Sequence, residues 1–240
     1  MNTTPELQGK TALITGGSKG IGLGIAETMA REHMKVALTS RHFQEAQEAA
    51  RHLVSLGAES ALALECDVRD FESQQNVVRE ILKDWGHLDV VIANAGVGYF
   101  GAIDTMAQNQ WHEIIDTNLT GVFYTLQASV DALKASKGYL ITIASLAGAN
   151  FFANGAAYNA SKFGLVGFTQ AAMLDLRPYG IKVSTIMPGS VATYFNNHTP
   201  GSADAWKIQP EDIGQIVTDL LKMNPRTLPS KIEVRPSMPA

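Results

Sequence analysis

Short apolar runs alternate along the chain with longer segments that carry apolar residues at helical spacing. The run "LDVVIA" (88–93) is apolar almost throughout, which is typical of a strand buried on both faces of a sheet. The other runs that predict strands are "KTALIT" (10–15), "KVALTS" (35–40), "ALALEC" (61–66), "YLITIA" (139–144), "IKVSTI" (181–186) and "KIEVR" (231–235). Helical patterns are predicted over residues 21–32, 43–56, 71–85, 108–135, 157–176 and 210–223.

This alternation predicts an α/β fold. Strands and helices that follow one another in strict order form right-handed βαβ units, so we expect a Rossmann-like, doubly wound parallel sheet of about seven strands with helices on both faces. The sequence contains no linker rich in Pro, Gly or Ser between two halves, which indicates a single domain over residues 1–240 with a short substrate-loop segment at about 190–210. Ligands bind such sheets at the carboxyl ends of the strands.

A glycine-rich turn, "TGGSKGIG" (15–22), follows the first predicted strand. A tight turn needs a flexible backbone at Gly16, a pyrophosphate needs close backbone approach near Gly20, and Gly22 lets the next helix pack closely. The free N–H groups at the start of that helix favour phosphate. An ordinary strand-to-helix turn is the alternative, but the position of the turn favours a dinucleotide site formed by Gly16, Ser18, Lys19, Gly20, Ile21 and Gly22.

The end of the second strand indicates which dinucleotide the site prefers. An acidic residue there would accept hydrogen bonds from a ribose 2′-hydroxyl, but this chain has Ser40 and Arg41 in the stretch "LTSRH". Lys19 in the glycine turn is a second cation for the same pocket. An arginine can bind a phosphate through two parallel hydrogen bonds, and a lysine adds a point charge. Either cation alone suits a solvated surface, but together they predict NADPH rather than NADH.

Composition narrows the function classes. The chain of 240 residues is 45% hydrophobic and 18% charged, which is typical of a globular protein. Its net charge of -4 and the lack of a long basic run disfavour a nucleic-acid partner. A single cysteine, Cys66, excludes an intrachain disulfide and a multi-cysteine zinc site, and the histidines show no ligand spacing, so no metal is expected. No secretion signal or apolar run of roughly 20 residues is visible, which predicts a cytoplasmic protein that does not contact a membrane.

Six motifs in this order resemble the short-chain dehydrogenase/reductase family over nearly the whole chain. The glycine turn is the first, and the others are "CDV" (66–68), "ANAG" (93–96), the asparagine of "DTNLTG" (116–121), a tyrosine–lysine pair in "AAYNASKFG" (156–164) thirteen residues after Ser145, and "PGSVAT" (188–193). The chain departs from the family at Ala93, where relatives have asparagine. It also ends in "EVRPSMPA" instead of a glycine-rich segment, which affects the C-terminal wall of the pocket.

The resemblance implies roles for these residues. It makes Asn118, Ser145, Tyr158 and Lys162 the catalytic group, with Lys162 also bonded to the nicotinamide ribose. The further residues implied in cofactor binding are Asp67 and Val68 at the adenine, Asn94, Ala95 and Gly96 beside the sheet, and Pro188, Gly189, Val191 and Thr193 at the nicotinamide end. Each catalytic candidate also suits an ordinary structural role: Ser145 as a strand-end cap, Asn118 as a buried amide bonded to backbone, Tyr158 as a packed aromatic and Lys162 as a solvated cation.

The tyrosine–lysine pair predicts proton transfer. Tyr158 and Lys162 are four residues apart, so they can lie on one face of a helical turn. A free tyrosine has a pKa of about 10, and a nearby cation favours the phenolate. We therefore expect Lys162 to lower the pKa of Tyr158, which would protonate a ketone or aldehyde oxygen as hydride reaches its carbon. Ser145 would donate a hydrogen bond to that oxygen, and Asn118 would hold a water that connects Lys162 to solvent.

The substrate and the assembly are less closely defined. Aromatic residues in the predicted pocket walls favour a hydrophobic small-molecule carbonyl; they are Tyr99, Phe100, Phe151, Phe152, Tyr194 and Phe195. A 3-oxoacyl thioester, a pteridine side-chain ketone and a xenobiotic carbonyl remain open, as does a non-catalytic NADPH-binding sensor, although a sensor would not need both Tyr158 and Lys162. Two predicted helices, 108–135 and 157–176, are apolar on more than one face, and the resemblance implies that they pair subunits in a homodimer or homotetramer.

Overall fold

Seven parallel strands form one sheet in the computed structural model, which describes residues 6–238. Their order is β3-β2-β1-β4-β5-β6-β7. The strands are β1 (Thr11–Ile14), β2 (Lys35–Ser40), β3 (Ser60–Glu65), β4 (Val90–Ala93), β5 (Tyr139–Ile143), β6 (Lys182–Pro188) and β7 (Lys231–Val234). The order reverses between β1 and β4, so a crevice opens at the carboxyl ends of these two strands. The predicted doubly wound sheet within a single domain is confirmed.

Helices cover both faces of this sheet. They are α1 (Gly20–Arg31), α2 (Phe43–Ser55), α3 (Phe71–Trp85), α4 (Gln108–Ile115), α5 (Gly121–Ser136), α6 (Ala156–Leu176) and α7 (Pro210–Lys222). One buried apolar cluster joins α1, α2 and α7 to the sheet, and a second cluster joins α3, α5 and α6 to the opposite face. The continuous apolar runs of the sequence therefore arise because β1, β4 and β5 are buried throughout.

The prediction of one continuous helix over residues 108–135 is wrong. The segment 108–135 is interrupted by a π-helical turn, Asp116–Thr120, and the amide of Gly121 donates to the carbonyl of Asp116. A Cβ at Gly121 would lie 2.9 Å from the Val68 side chain, so the helix passes very close to the end of the third βα connection. The apolar pattern continues across the wider turn, and for that reason periodicity alone did not reveal it.

Candidate active site

A cavity of about 1170 Å³ runs along the carboxyl ends of the strands. Residues that follow β1, β2, β4, β5 and β6 line it, as expected for a doubly wound sheet. Pockets for one small molecule measure about 300–1,000 Å³. The cavity is therefore large enough for an extended ligand with a second molecule beside it.

The glycine turn forms the wall of this cavity beside α1. Gly16 and Gly20 have φ angles of +63° and +57°, in the left-handed region that favours glycine. Gly22 does not line the cavity, unlike the other predicted residues of the turn. A Cβ at Gly22 would lie 2.4 Å from the Gly16 carbonyl oxygen and 2.6 Å from the Asn94 side chain, so this glycine allows α1 to pack under the turn.

Two polar side chains hold the glycine turn against β4. The Asn94 amide nitrogen donates to the carbonyl oxygens of Thr15 and Gly16 at 2.9 and 3.1 Å. In return, the Thr15 hydroxyl accepts from the backbone amides of Asn94 and Ala95 at 3.1 and 3.2 Å. These bonds join the two strands at the point where the sheet order reverses and place Ala95 and Gly96 at the cavity.

Two carboxylates lie among the residues predicted to recognise a 2′-phosphate. Glu45, in the first turn of α2, accepts hydrogen bonds from the hydroxyls of Ser18 and Ser40, both at 3.3 Å, and lies 4.0 Å from the Lys19 ammonium. Glu113 lies 3.9 Å from the Arg41 guanidinium. The sequence at the end of the second strand does not indicate either carboxylate, because both belong to helices.

Asp67 lines the next part of the cavity, together with Val68. The Arg69 side chain donates to the Asp67 carboxylate at 2.9 Å, and this hydrogen bond holds the pKa of Asp67 below its usual value. Arg69 was not singled out from the sequence, although its position two residues after Asp67 is the signal that could have found it.

Lys162 and Tyr158 line the cavity near the end of β5. Lys162 is buried, and its ammonium donates to the Ile143 carbonyl oxygen at 3.0 Å. Burial lowers the pKa of Lys162 to about 8 and raises the pKa of Tyr158 to about 12, with hydrogen bonding to Ser145 acting on Tyr158 in the opposite direction. The pKa of Tyr158 therefore lies above that of a free tyrosine, contrary to the lowered value expected from the sequence, because burial is the largest influence on it. The Lys162 ammonium lies 5.7 Å from the centroid of the Tyr158 ring.

Two phenylalanines pack against the Tyr158 ring, and a third packs against one of them. The ring centroids of Phe100 and Phe195 lie 5.4 and 5.6 Å from that of Tyr158, and Phe152 packs against Phe100 at 5.7 Å. Phe195 also packs directly on Gly98, where a Cβ would lie 2.3 Å from the ring. Of the six aromatic residues predicted to line the pocket, all but Phe151 line the cavity, and two of them contact Tyr158. Phe151 is 87% exposed and lies outside the lining.

Ser145 lies at the end of β5 and lines the cavity near Tyr158. Its hydroxyl oxygen also accepts from the Ala147 amide at 3.1 Å, so the capping role left open by the sequence is observed as well. This capping bond does not prevent Ser145 from donating a hydrogen bond to a substrate oxygen, because the hydroxyl hydrogen remains available when the oxygen accepts from Ala147.

Asn118 lies below the cavity and does not line it. Its side chain is fully buried and exchanges hydrogen bonds of 2.8 Å with the backbone of Val97, while its nitrogen donates to Ser161 at 3.1 Å. Ser161 in turn donates to the Tyr158 carbonyl at 2.8 Å. Asn118 therefore connects the β4 loop to the helical turn that carries Tyr158 and Lys162, as a buried amide bonded to backbone would.

The segment after β6 closes the remaining side. Pro188, Gly189, Val191 and Thr193 all line the cavity, and the Thr193 methyl would lie 3.4 Å from a Cβ at Gly20. The C-terminal stretch from Arg235 to Met238 also lines it, because the Gly189 amide donates to the Val234 carbonyl at 2.8 Å. The unusual chain end therefore forms part of the wall, and its last two residues lie outside the described range.

An ion cluster fixes the predicted substrate loop. The Asp204 carboxylate is buried and contacts the Lys207 ammonium at 2.6 Å and the His198 ring at 2.8 Å. Hydrogen bonds from Lys207, the Gly201 amide and His198 hold the pKa of Asp204 well below its usual range. His198 and Lys207 both line the cavity, so sequence reasoning missed a polar cluster at its edge.

Two kinds of feature are absent from residues 6–238. No helix in this range has the length and apolarity that crossing a bilayer requires. Within the same range, no three His, Cys, Asp or Glu side chains lie in an arrangement that could hold a metal ion.

Comparison with known proteins gives a family match for most of the chain. The family model described as short chain dehydrogenase matches residues 10–202. The matched segment begins at the residue before β1 and extends into the loop that contains Asp204, so it includes the glycine turn, Ser145 and the tyrosine–lysine pair.

Two curated relatives are reductases or dehydrogenases. Trans-4-hydroxycyclohexanecarboxylate dehydrogenase from Sinomonas cyclohexanicum is 35% identical over 189 residues, which are 77% of this chain and 73% of that protein. The 3-oxoacyl-acyl-carrier-protein reductase of Staphylococcus aureus is 33% identical over 185 residues, which are 77% of this chain and 75% of that protein.

A solved structure with the same fold contains a cofactor analogue. The alcohol dehydrogenase of the archaeon Thermococcus sibiricus, complexed with 5-hydroxy-NADP, is 30% identical and superposes with a TM-score of 0.91. The alignment covers 96% of this chain and 97% of that one. The likeness is consistent with a nicotinamide cofactor in the cavity described above.

Proposed function

The chain belongs to the short-chain dehydrogenase family of oxidoreductases, and we propose that it is an NADPH-dependent reductase of ketones or aldehydes in which Tyr158 is the proton donor. One observation carries this proposal: the half-buried Tyr158, beside Ser145, lines a cavity that is also lined by a glycine turn suited to a dinucleotide. Bound reduced nicotinamide would supply the hydride.

The residues present fit a dinucleotide. The left-handed backbone at Gly16 and Gly20 allows close approach of a pyrophosphate, and the start of α1 offers free amide groups to it. Asp67 and Val68 would contact the adenine, while the segment from Pro188 to Thr193 would hold the nicotinamide end. A cavity of about 1170 Å³ leaves room for the substrate beside it.

Proton donation follows from the ionisation states. With a pKa of about 12, Tyr158 is protonated at neutral pH and has a proton to give to a substrate oxygen. The Ser145 hydroxyl would donate a hydrogen bond to the same oxygen. Lys162, with a pKa of about 8, is mostly charged at pH 7, and its charge would favour the phenolate left after proton transfer.

The preference for NADPH is supported by Ser18, Lys19, Ser40 and Arg41, which all line the same end of the cavity. They offer two hydroxyl donors and two cations to a 2′-phosphate. The archaeal alcohol dehydrogenase, complexed with an NADP derivative, supports the same choice.

A hydrophobic carbonyl compound is the substrate class that the pocket favours. Phe100 and Phe195 pack against the proposed proton donor and Phe152 packs against Phe100, so the reacting carbonyl would sit in an aromatic environment. A cyclic ketone is favoured by the relative that acts on a hydroxycyclohexane carboxylate, and a 3-oxoacyl thioester by the relative that is a 3-oxoacyl reductase.

Exposed apolar side chains on α5 and α6 support the predicted homodimer or homotetramer. Phe123, Phe163 and Leu174 are between 42% and 60% exposed in the monomer, although each is large and apolar. A second copy of the chain that packs these two helices would remove this surface from water. A cytoplasmic location stays a prediction.

The direct test of the proposed function is a substrate panel. Purified protein would be mixed with cyclic ketones, aldehydes and 3-oxoacyl thioesters, with NADPH or NADH, and nucleotide oxidation followed by absorbance. We expect turnover of a hydrophobic ketone and a higher kcat/KM with NADPH. Tight nucleotide binding with no turnover across the panel would instead favour the non-catalytic sensor.

A further inference from the structure

We propose that Glu45 limits the selectivity of the protein for NADPH over NADH by competing with the 2′-phosphate for its hydrogen-bond donors. This inference rests on the proposed cofactor site and adds a residue that opposes it. Glu45 lines the same end of the cavity as Ser18, Lys19 and Ser40.

The contacts of Glu45 are those that a phosphate would need. A single oxygen of its carboxylate, Oε2, accepts from Ser18 and Ser40 at 3.3 Å and is the atom nearest the Lys19 ammonium at 4.0 Å. A carboxylate and a phosphate are both anionic oxygen acceptors, so they compete for the same hydroxyl hydrogens and the same cation. When a 2′-phosphate binds, Glu45 must give up these contacts.

Arg41 does not remove this competition. Its guanidinium lies 3.9 Å from Glu113, whose other carboxylate oxygen accepts from the Tyr99 hydroxyl at 2.9 Å. Both cations predicted to bind the phosphate thus have a carboxylate beside them, and the local charges of Lys19, Arg41, Glu45 and Glu113 sum to zero. A phosphate that enters this region meets repulsion as well as attraction.

NADH does not meet the same conflict. Its ribose carries a 2′-hydroxyl instead of a phosphate, and a hydroxyl can donate to a carboxylate. Glu45 therefore disfavours only the phosphorylated cofactor, so its removal should alter the ratio of the two affinities.

Glu45 could also serve only to stabilise α2, and the experiment has to distinguish that role from competition with the 2′-phosphate. It stands in the first turn of α2, where a negative charge interacts favourably with the helix dipole. That role predicts a change in stability and none in nucleotide selectivity. Glu48, an exposed carboxylate in the same helix, provides a control for the loss of charge.

The experiment measures dissociation constants for NADPH and NADH by nucleotide fluorescence in wild type, Glu45→Gln and Glu48→Gln. We expect Glu45→Gln to bind NADPH about tenfold more tightly, equivalent to one charge-assisted contact, with NADH changed less than about twofold. Competition by 2′-AMP and 5′-AMP locates the effect, because only 2′-AMP should gain affinity. Glu48→Gln should match the wild type.

An unchanged NADPH-to-NADH ratio in Glu45→Gln, or an equal gain for both nucleotides, would overturn the role of Glu45 while the proposed function stands. If the wild type binds neither nucleotide, the proposed cofactor fails, and the Glu45 inference fails with it. The two failures are therefore distinguishable.

Discussion

The ammonium group of Lys162 donates a hydrogen bond to the carbonyl oxygen of Ile143 at 3.0 Å. This contact joins α6 to the last residue of β5, next to the position of Ser145. It satisfies one of the three ammonium hydrogens, and burial of the charge lowers the pKa of Lys162 from 10.5 to about 8. Lys162 is therefore a buried cation whose ionisation affects stability as well as chemistry.

The first prediction concerns stability at alkaline pH. Between pH 8 and 10.5 the unfolded chain keeps the Lys162 proton while the folded protein loses it, so the free energy of unfolding rises with pH in this window. Below pH 8 both states are charged and the burial penalty is fully present. Relative to Lys162→Met, the wild type should gain about 3 kcal/mol across the window, as measured by urea unfolding at several pH values.

The exposed Lys231 provides the control. Lys231→Met should leave the pH dependence of the wild type unchanged. Parallel stability curves for wild type and Lys162→Met would show that Lys162 titrates normally, contrary to its buried position.

The second prediction concerns the glycine turn. A methyl group at Gly22 would overlap the Gly16 carbonyl oxygen and the Asn94 side chain, so Gly22→Ala should displace the turn. Overpacking typically costs about 1–3 kcal/mol, and a displaced turn should also weaken NADPH binding. Urea unfolding and nucleotide fluorescence would measure the two effects.

Gly101→Ala makes the same chemical change at a position where no atom lies within 4 Å of the added carbon. It should leave stability within about 0.5 kcal/mol of the wild type. Normal NADPH affinity in Gly22→Ala would contradict the role given to the turn.

The sequence predicted the elements at the cavity better than the contacts among their side chains. The order of strands and helices, and the glycine turn after β1, could be predicted because apolar periodicity and glycine placement are local signals. The contacts of Glu45 with Ser18 and of Glu113 with Arg41 could not, because each joins residues that are close only after the chain folds.

The contacts of Asn118 also could not be predicted from the sequence. Its motif could be recognised in the sequence, but the π-helical turn that aims its amide at Val97 leaves no trace in the apolar pattern. The raised pKa of Tyr158 was also missed. The sequence shows that Lys162 lies four residues after Tyr158, but it does not show that Phe100 and Phe195, which come from distant segments, pack against the Tyr158 ring.

The third prediction concerns the substrate loop. The Asp204 carboxylate contributes stability above its ordinary pKa of 3.8, and this contribution is lost only as the pH falls through its lower folded value. Asp204→Asn should therefore loosen the loop at neutral pH, where the wild-type carboxylate is ionised. Limited proteolysis between residues 195 and 208 should accelerate several-fold, and KM for a ketone should rise more than kcat falls.

Asp131→Asn is a suitable comparison, because the Asp131 side chain is 93% exposed beside Lys134 on α5. It should leave both proteolysis and KM unchanged. Equal proteolysis rates for wild type and Asp204→Asn would mean that the contacts with Lys207 and His198 do not hold the loop.

The central claim is that the Tyr158 hydroxyl gives its proton to the substrate, and one measurement addresses it directly. NADPH binding and ketone-dependent NADPH oxidation would be measured side by side in wild type, Tyr158→Phe and Tyr179→Phe, the last at an exposed tyrosine near the end of α6. General acid catalysis contributes about 10²–10⁴-fold. Tyr158→Phe should lose at least about 10²-fold in kcat/KM while it binds NADPH as the wild type does, and Tyr179→Phe should retain full activity. Turnover by Tyr158→Phe at the wild-type rate would contradict the claim.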